Sequence, residues 1–181
     1  MDVKNGLSVK AGHYFLKEDF FVMGLKYEFT RETMIYDGHV LHRIERLSDG
    51  RIGGWIEKEE NIDQYDESWV DDNAKVYGDG QVYGNARVYG DAQVFDNATV
   101  HGNAEIYNDA CVYGNAHVFG DAQVYDDASV YGNTMVYDDA RVYGNAIVYN
   151  AKVYGNARVC GNAQVCDDAQ VGGNAHICGD A

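Results

Sequence analysis

The sequence predicts an all-β fold: a parallel β-helix of three-sided, 18-residue coils with a small β-rich unit at its N-terminal end. Three observations predict it. An aliphatic residue recurs every six positions from Val70, Val76, Val82 and Val88 to Ile177, with one five-residue step from Val148 to Val153. A small residue stands two places before each one from Val76 onward: Ala74, Gly80, Ala86 and so on to Ala175, with Thr134 the mild exception. A corner-forming pair, most often Gly-Asn or Gly-Asp, completes the consensus Ala-x-Val-Tyr-Gly-Asn/Asp.

Each element follows from that spacing. A period of six is neither the 3.6 of a helix nor a plain alternation. Within Ala-x-Val-Tyr the side chains alternate, so Ala and Val face one way while x and Tyr face the other. Gly-Asn and Gly-Asp tolerate the positive φ of a tight corner. Three such sides close a coil, and coils stack at the ~4.8 Å spacing of paired strands. A buried Val contributes at most ~1.5–3 kcal/mol before chain entropy is subtracted, so stability needs many coils, and the six or so present suffice.

The N-terminal part carries no hexad. Lys26–Thr30 and Val40–Ile44 read as short strands around Asp37-Gly38. Gly53-Gly54-Trp55-Ile56 then leads to Ile62 by a step of six and to Val70 by a step of eight. Residues 1–51 are therefore read as a β-rich cap, 52–69 as an irregular first coil with a bulge near Gln64–Glu67, and 70–181 as regular hexads. The cap covers one open end of the solenoid, as solenoids require, while the other is read as ending uncapped at Ala181.

Composition narrows function. The 181 residues hold 14 Lys and Arg against 29 Asp and Glu, a net charge of −15. Such a chain is a poor direct ligand for nucleic-acid phosphates or an anionic membrane. With 46% apolar residues it is not an acidic disordered tail. There are 21 Gly and 15 Tyr but no Pro, so the chain turns by other means. The four Cys all lie at or beyond Cys111 and outline no secreted disulfide framework. Met1–Leu16 lacks the features of a signal peptide, and no stretch approaches the ~20 apolar residues of a membrane span. A cytoplasmic protein with reduced thiols is expected.

The hexads closely resemble the hexapeptide-repeat family of left-handed β-helices, whose aliphatic first and small fifth positions are met by Val76 with Gly80 and Val82 with Ala86. Left-handedness is what this resemblance implies. The order KYEFT, HRIERL, GGWIEKEENI, SWVDDNAKVYG also resembles bacterial and phage hexapeptide-repeat proteins classed as acyltransferases. That resemblance implies acetyl-CoA as donor, a trimer, and a catalytic His acting as general base beside a protruding loop.

Stacking residues one coil apart gives the outer surface. One face carries Tyr77, Phe95, Tyr113, Tyr131 and Tyr149. A second carries Tyr89, Tyr107, Tyr125 and Tyr143, then Cys160 and Cys178. The third carries Tyr83, His101, Phe119, Tyr137 and Tyr154. Stacked rings stabilise coils by ~0.2–1 kcal/mol per pair and also make a ready interface. At the corners a column runs Asp91, Asp109, Asp127, read with Asp72 below and Asp126 beside it. Residues 68–181 hold 5 Lys/Arg and 15 Asp/Glu, a net −10. Over ~30 Å of axis this is one charge per ~3 Å, about half the density of duplex DNA.

Catalysis finds little support. No long loop interrupts the hexads, cations are few (Lys75, Arg87, Arg141, Lys152, Arg158), and no His has an evident partner. His101 replaces a ladder Tyr, and His117 and His176 occupy the x position. His13, His39 and His42 fall in the cap. His117, beside Phe119, is the nearest to a catalytic base. Cys160, His176 and Cys178 are the nearest to a metal set, for zinc or copper, although a Tyr-to-Cys replacement recurs at Cys166 on another face.

The sequence thus points to a non-catalytic acidic binding protein needing no cofactor. Its binding residues are expected to be Asp91, Asp109, Asp126 and Asp127 with Tyr89, Tyr107, Tyr125 and Tyr143. The expected partner is a protein, one that binds nucleic acid, inhibited in the manner of a phage protein that imitates nucleic-acid charge. No nucleic acid or membrane is expected to bind directly. The alternatives are an acyltransferase-like trimer using acetyl-CoA and a structural rod that self-associates, so a homodimer or trimer stays open.

Overall fold

The computed structural model describes residues 24–179. The Met1–Leu16 segment, His13 and Ala181 lie outside them. The chain opens with an antiparallel hairpin, β1 (Tyr27–Tyr36) and β2 (His39–Arg46), joined by Asp37 and Gly38, both at positive φ (48° and 83°). That turn matches the right-handed twist of the strands it joins. The strands are longer than the sequence pattern marked out. β3 (Ile52–Ile56) pairs antiparallel with β2 on one edge and parallel with Lys75–Val76 on the other. The hairpin therefore continues directly into one wall of the solenoid.

From there the fold is the parallel β-solenoid that the period of six requires. It has about 7 turns at 18-residue spacing. Three sheets form its walls, of nine, seven and six strands, and in the solenoid each strand pairs in parallel with the strand one coil away. The first wall runs from the hairpin to Gln164–Val165, the second from Trp69–Val70 to His176–Gly179, and the third from Gln81–Val82 to Gln170–Val171. The five-residue step leaves the pairing intact. Tyr131 aligns with Tyr149 and Met135 with Lys152, so the missing residue comes out of the corner at Asn150. No helix among the described residues is long and apolar enough to cross a membrane.

The core is a stack of Val and Ala. From Val70 to Val159 every aliphatic hexad position is buried, as are the Ala positions between them. Thr134, the exception among the small residues, is also fully buried, and its hydroxyl donates to the Tyr131 carbonyl at 2.6 Å. The corners explain a chain that turns without proline. The residue after each ladder aromatic takes positive φ whether it is Gly (Gly114, 70°), Asn (Asn108, 58°) or Asp (Asp126, 59°).

The first coil is irregular, as its eight-residue step requires, with bends at residues 64–67. Gly53 and Gly54 let it close on its neighbour, since a Cβ on Gly54 would come within 2.7 Å of both the Ala74 carbonyl and Val70 Cγ1. Polar side chains that each join several groups fix this coil. Fully buried Asn61 accepts from the Glu57 and Lys58 N–H groups and donates to the Gly78 and Gly80 carbonyls. Gln64 accepts from the Lys26 and Tyr27 N–H groups and donates to the Tyr27 carbonyl. Asp66 accepts from Lys26 Nζ, from the Ser68 hydroxyl and N–H, and from the Gly84 N–H.

Candidate binding surface

All three aromatic ladders form. On the second wall the rings of Tyr89, Tyr107, Tyr125 and Tyr143 stack with centroids 4.8–4.9 Å apart and planes within 3° of parallel. On the first, Tyr77, Phe95, Tyr113 and Tyr131 stack at 4.8–5.0 Å and within 5° of parallel, and Tyr149 tilts by 32° beside the shortened corner. On the third, Tyr83, His101, Phe119, Tyr137 and Tyr154 continue through His101 without a break in stacking. The rings are mostly half-buried. Burial, with neighbouring phenols, raises the pKa of the Tyr107 hydroxyl to about 12. Tyr77 differs because the hairpin covers it: Tyr36 and His39 lie against its ring at 5.9 and 5.0 Å, and it is buried.

The acidic residues separate into two chemical kinds. Those at the positive-φ corner position are hydrogen-bonded to the next coil. Asp72 accepts from the Gly90 N–H at 3.1 Å, Asp96 from Gly114 at 3.2 Å, Asp126 from Gly144 at 3.2 Å and Asp138 from Gly155 at 3.1 Å. Asp126 also accepts from Asn108 Nδ2 at 3.0 Å. Two readings of the sequence change accordingly. Asp72 stands beneath Gly90 in the Asp126 column, and the residue beneath Asp91 is Asn73. Asp126 is engaged within the corner, unlike Asp127.

The second kind lies one residue further on and is exposed. At two corners this outer column is made largely of amides that bond one another up the stack. Asn97, Asn115 and Asn133 link at 3.2 Å, and Asn85, Asn103 and Asp121 at 2.9 and 2.8 Å. The third corner carries Asp91, Asp109 and Asp127 in successive coils, all exposed. Their carboxylates make no hydrogen bond or ion pair among the described residues. They recur at one strand spacing, ~4.8 Å, along the axis. They run beside the Tyr89–Tyr143 ladder, two residues after each of its first three rings.

The sequence reading missed that this same wall collects cations. Arg87, Arg141 and Arg158 all stand in its x column, and Arg141 pairs in register with Arg158. Spacings of 18 and, across the five-residue step, 17 would have revealed it. The wall beside the ladder therefore carries both signs, Glu105 standing in register with Arg87.

His117 is exposed on the x position of the third wall, between Thr99 and Met135. It has no hydrogen-bond or ion-pair partner among the described residues. Burial lowers the pKa of the nearby His101, and the charge of His117 adds to this. In the cap, His39 Nδ1 meets Glu57 Oε1 at 2.9 Å, and His42 packs on Phe29.

The three sulfur and imidazole groups do converge. Cys160 and Cys178 align on paired strands and are joined as a disulfide, Cα–Cα 4.5 Å, where reduced thiols were expected. Their in-register stacking in adjacent coils permits the bond, because disulfides span Cα separations of ~4.4–6.8 Å. His176 Nε2 lies 3.5 Å from Cys160 Sγ and 3.1 Å from Cys178 Sγ. Cys111 and Cys166 are free.

A groove of about 600 Å³ lies where the hairpin meets the second wall, lined in part by Arg46, Arg51, Trp69 and Arg87. Arg46 stands over the Trp69 ring and pairs with Asp49, and Arg51 pairs with Asp71. Two of its three arginines are thus ion-paired.

Fold and surface together define a β-solenoid repeat protein with a laddered exterior and one corner of three successive exposed carboxylates. Its repeats are similar to a family model described as the YdcK beta solenoid repeat, which matches residues 81–94, 92–108, 122–138, 136–150, 140–153 and 151–167. All of these lie in the regular coils, Asp91, Asp127 and Cys160 among them, while Asp109 falls between two matches. No curated protein matches the chain.

Proposed function

We propose that this solenoid is a non-catalytic binding protein whose Asp91–Asp109–Asp127 corner, with the adjoining Tyr ladder, engages a basic groove on a nucleic-acid-binding protein. The reading rests on the contrast between corners. The Asn97–Asn115–Asn133 column is linked by its amides, and the Asn85–Asn103–Asp121 column is linked up to Asp121 with exposed Asp139 above it, while the third corner holds three successive exposed carboxylates without a hydrogen-bond or ion-pair partner among the described residues. Their spacing, ~4.8 Å along the axis, is of the order of the ~3.4 Å of axis between charges on one DNA strand. The neutral Tyr rings beside them supply the aromatic area that interfaces favour. The setting proposed is a bacterial or phage-infected cytoplasm.

The test is affinity capture from bacterial lysate at low and high salt, using wild type and the D91N/D109N/D127N variant. Capture of a nucleic-acid-binding protein that salt weakens and the variant loses, mainly through a slower on-rate, is the expected result. A captured set unchanged by both salt and the variant contradicts it. Retention on immobilised coenzyme A, lost in His117→Ala, would favour acyl transfer instead. Concentration-dependent growth in light scattering would favour a self-associating rod.

A further inference from the structure

The second wall changes character at its C-terminal end. Its ladder runs through tyrosines to Tyr143, then places Cys160 and Cys178 at the next two rungs. Strands Arg158–Gly161 and His176–Gly179 pair in parallel and in register. His176 lies two residues before Cys178 on the same strand, so both side chains leave on the same side. The three ligand atoms lie within 4.8 Å of one another. Cys160 is nearly buried, whereas His176 and Cys178 are exposed.

We propose that Cys160, His176 and Cys178, once the disulfide is reduced, form a three-ligand site for a zinc-class divalent cation. With Zn–S of ~2.3 Å and Zn–N of ~2.0–2.1 Å, tetrahedral coordination sets the N···S separations at about 3.6 Å and S···S at about 3.8 Å. The His176 Nε2 to Cys160 Sγ distance of 3.5 Å meets the first requirement, and the 3.1 Å to Cys178 Sγ must lengthen by about 0.5 Å as the sulfurs separate on reduction. Adjacent strands hold the two sulfur-bearing residues one rung apart, and side-chain rotation brings thiolates from that spacing to the second. The backbone needs no rearrangement. The fourth position faces solvent and is open to water or a partner's ligand, as in sites with two Cys and one His.

The chemistry balances simply. A thiol or phosphine reductant supplies two electrons and two protons to the disulfide, giving two thiols. The cation then displaces those two protons and binds the thiolates and the neutral imidazole. Disulfide and metal site are alternative states of one pair of sulfurs. Cys166 replaces a ladder aromatic on the first wall but has no second Cys or His beside it among the described residues. Replacement of a ladder residue by Cys therefore does not by itself create the cluster.

The experiment uses the full chain, kept in a phosphine reductant, stripped with a chelator and titrated with Co²⁺ and then Zn²⁺. The expected result is one equivalent of Co²⁺ with sulfur-to-cobalt charge-transfer absorption, displaced by Zn²⁺ and absent from the oxidised protein. His176→Ala, at an exposed position, should weaken binding by about tenfold or more. C160S/C178S should abolish the absorption, and C111S/C166S should leave it unchanged. Circular dichroism checks that each variant remains folded. No charge-transfer absorption in reduced wild type, undiminished affinity in His176→Ala, or the same binding in C160S/C178S overturns the proposal.

Discussion

The middle coils and the N-terminal junction hold their chains in opposite ways. Between Val82 and Val142 each rung repeats the one below: a buried Val, a buried Ala, a stacked ring and a corner closed by one residue at positive φ. At the junction almost nothing repeats. Asn61, Gln64 and Asp66 each join several groups, and of these bonds only the one from the Gly84 N–H to Asp66 repeats a pattern of the later corners. Repetition spreads stability over neighbours that can substitute for one another. A hub used once has no substitute, so the two regions should respond differently to the same size of perturbation.

The largest effect should come from breaking the repeat at its centre. Val124→Asp buries an unpaired charge among fully buried Val and Ala and should cost on the order of 4 kcal/mol or more. Urea denaturation followed by circular dichroism would show this as loss of a single transition or failure to fold.

Asn61→Ala should come next, at about 3 kcal/mol, because four backbone groups lose their partner together. The comparison is sharpened by where the loss falls. Hydrogen exchange should show protection lost over β1–β3 and the first coil, while coils beyond Val100 keep theirs.

Acid should separate the two regions more gently. At Asp66 burial opposes ionisation, but hydrogen bonds from Ser68, Lys26 and Gly84 outweigh it and hold the carboxyl below its ordinary range. Glu57 is similar, with burial outweighed by His39 and the Gly78 N–H. Both groups stay ionised in the folded chain to lower pH than in the unfolded one. Their contribution is complete above the ordinary carboxylate pKa and is lost as pH falls through the depressed folded values. Hydrogen exchange at successively lower pH should therefore open the junction before the middle coils, and Asp66→Asn should abolish most of that difference.

The middle coils were legible in the sequence because their physics is periodic. One spacing sets which residues face inward, which rings stack and where the corners fall. The junction was legible only in outline. Asp37-Gly38 announces a hairpin turn and the eight-residue step announces a bulge. Nothing in Asn61 or Gln64 announces which backbone groups they meet, since those partners are set by tertiary placement. The two kinds of corner Asp lay between these cases. Asp126 and Asp127 are neighbours of one type, and only the rule that the residue after each ladder ring takes positive φ separates the bonded one from the free one. The convergence of Cys160, His176 and Cys178 followed from the register, whereas their disulfide did not.

On the proposed function, Asp91, Asp109 and Asp127 serve binding at the expense of the fold. The most direct measurement is the unfolding free energy of D91N/D109N/D127N against wild type in urea at neutral pH and low salt. The account predicts a more stable variant, by about 1 kcal/mol over two adjacent like-charge pairs, because amides would continue the hydrogen-bonded column found at the other corners. A variant less stable than wild type would mean that these carboxylates support the corner, and would contradict the claim.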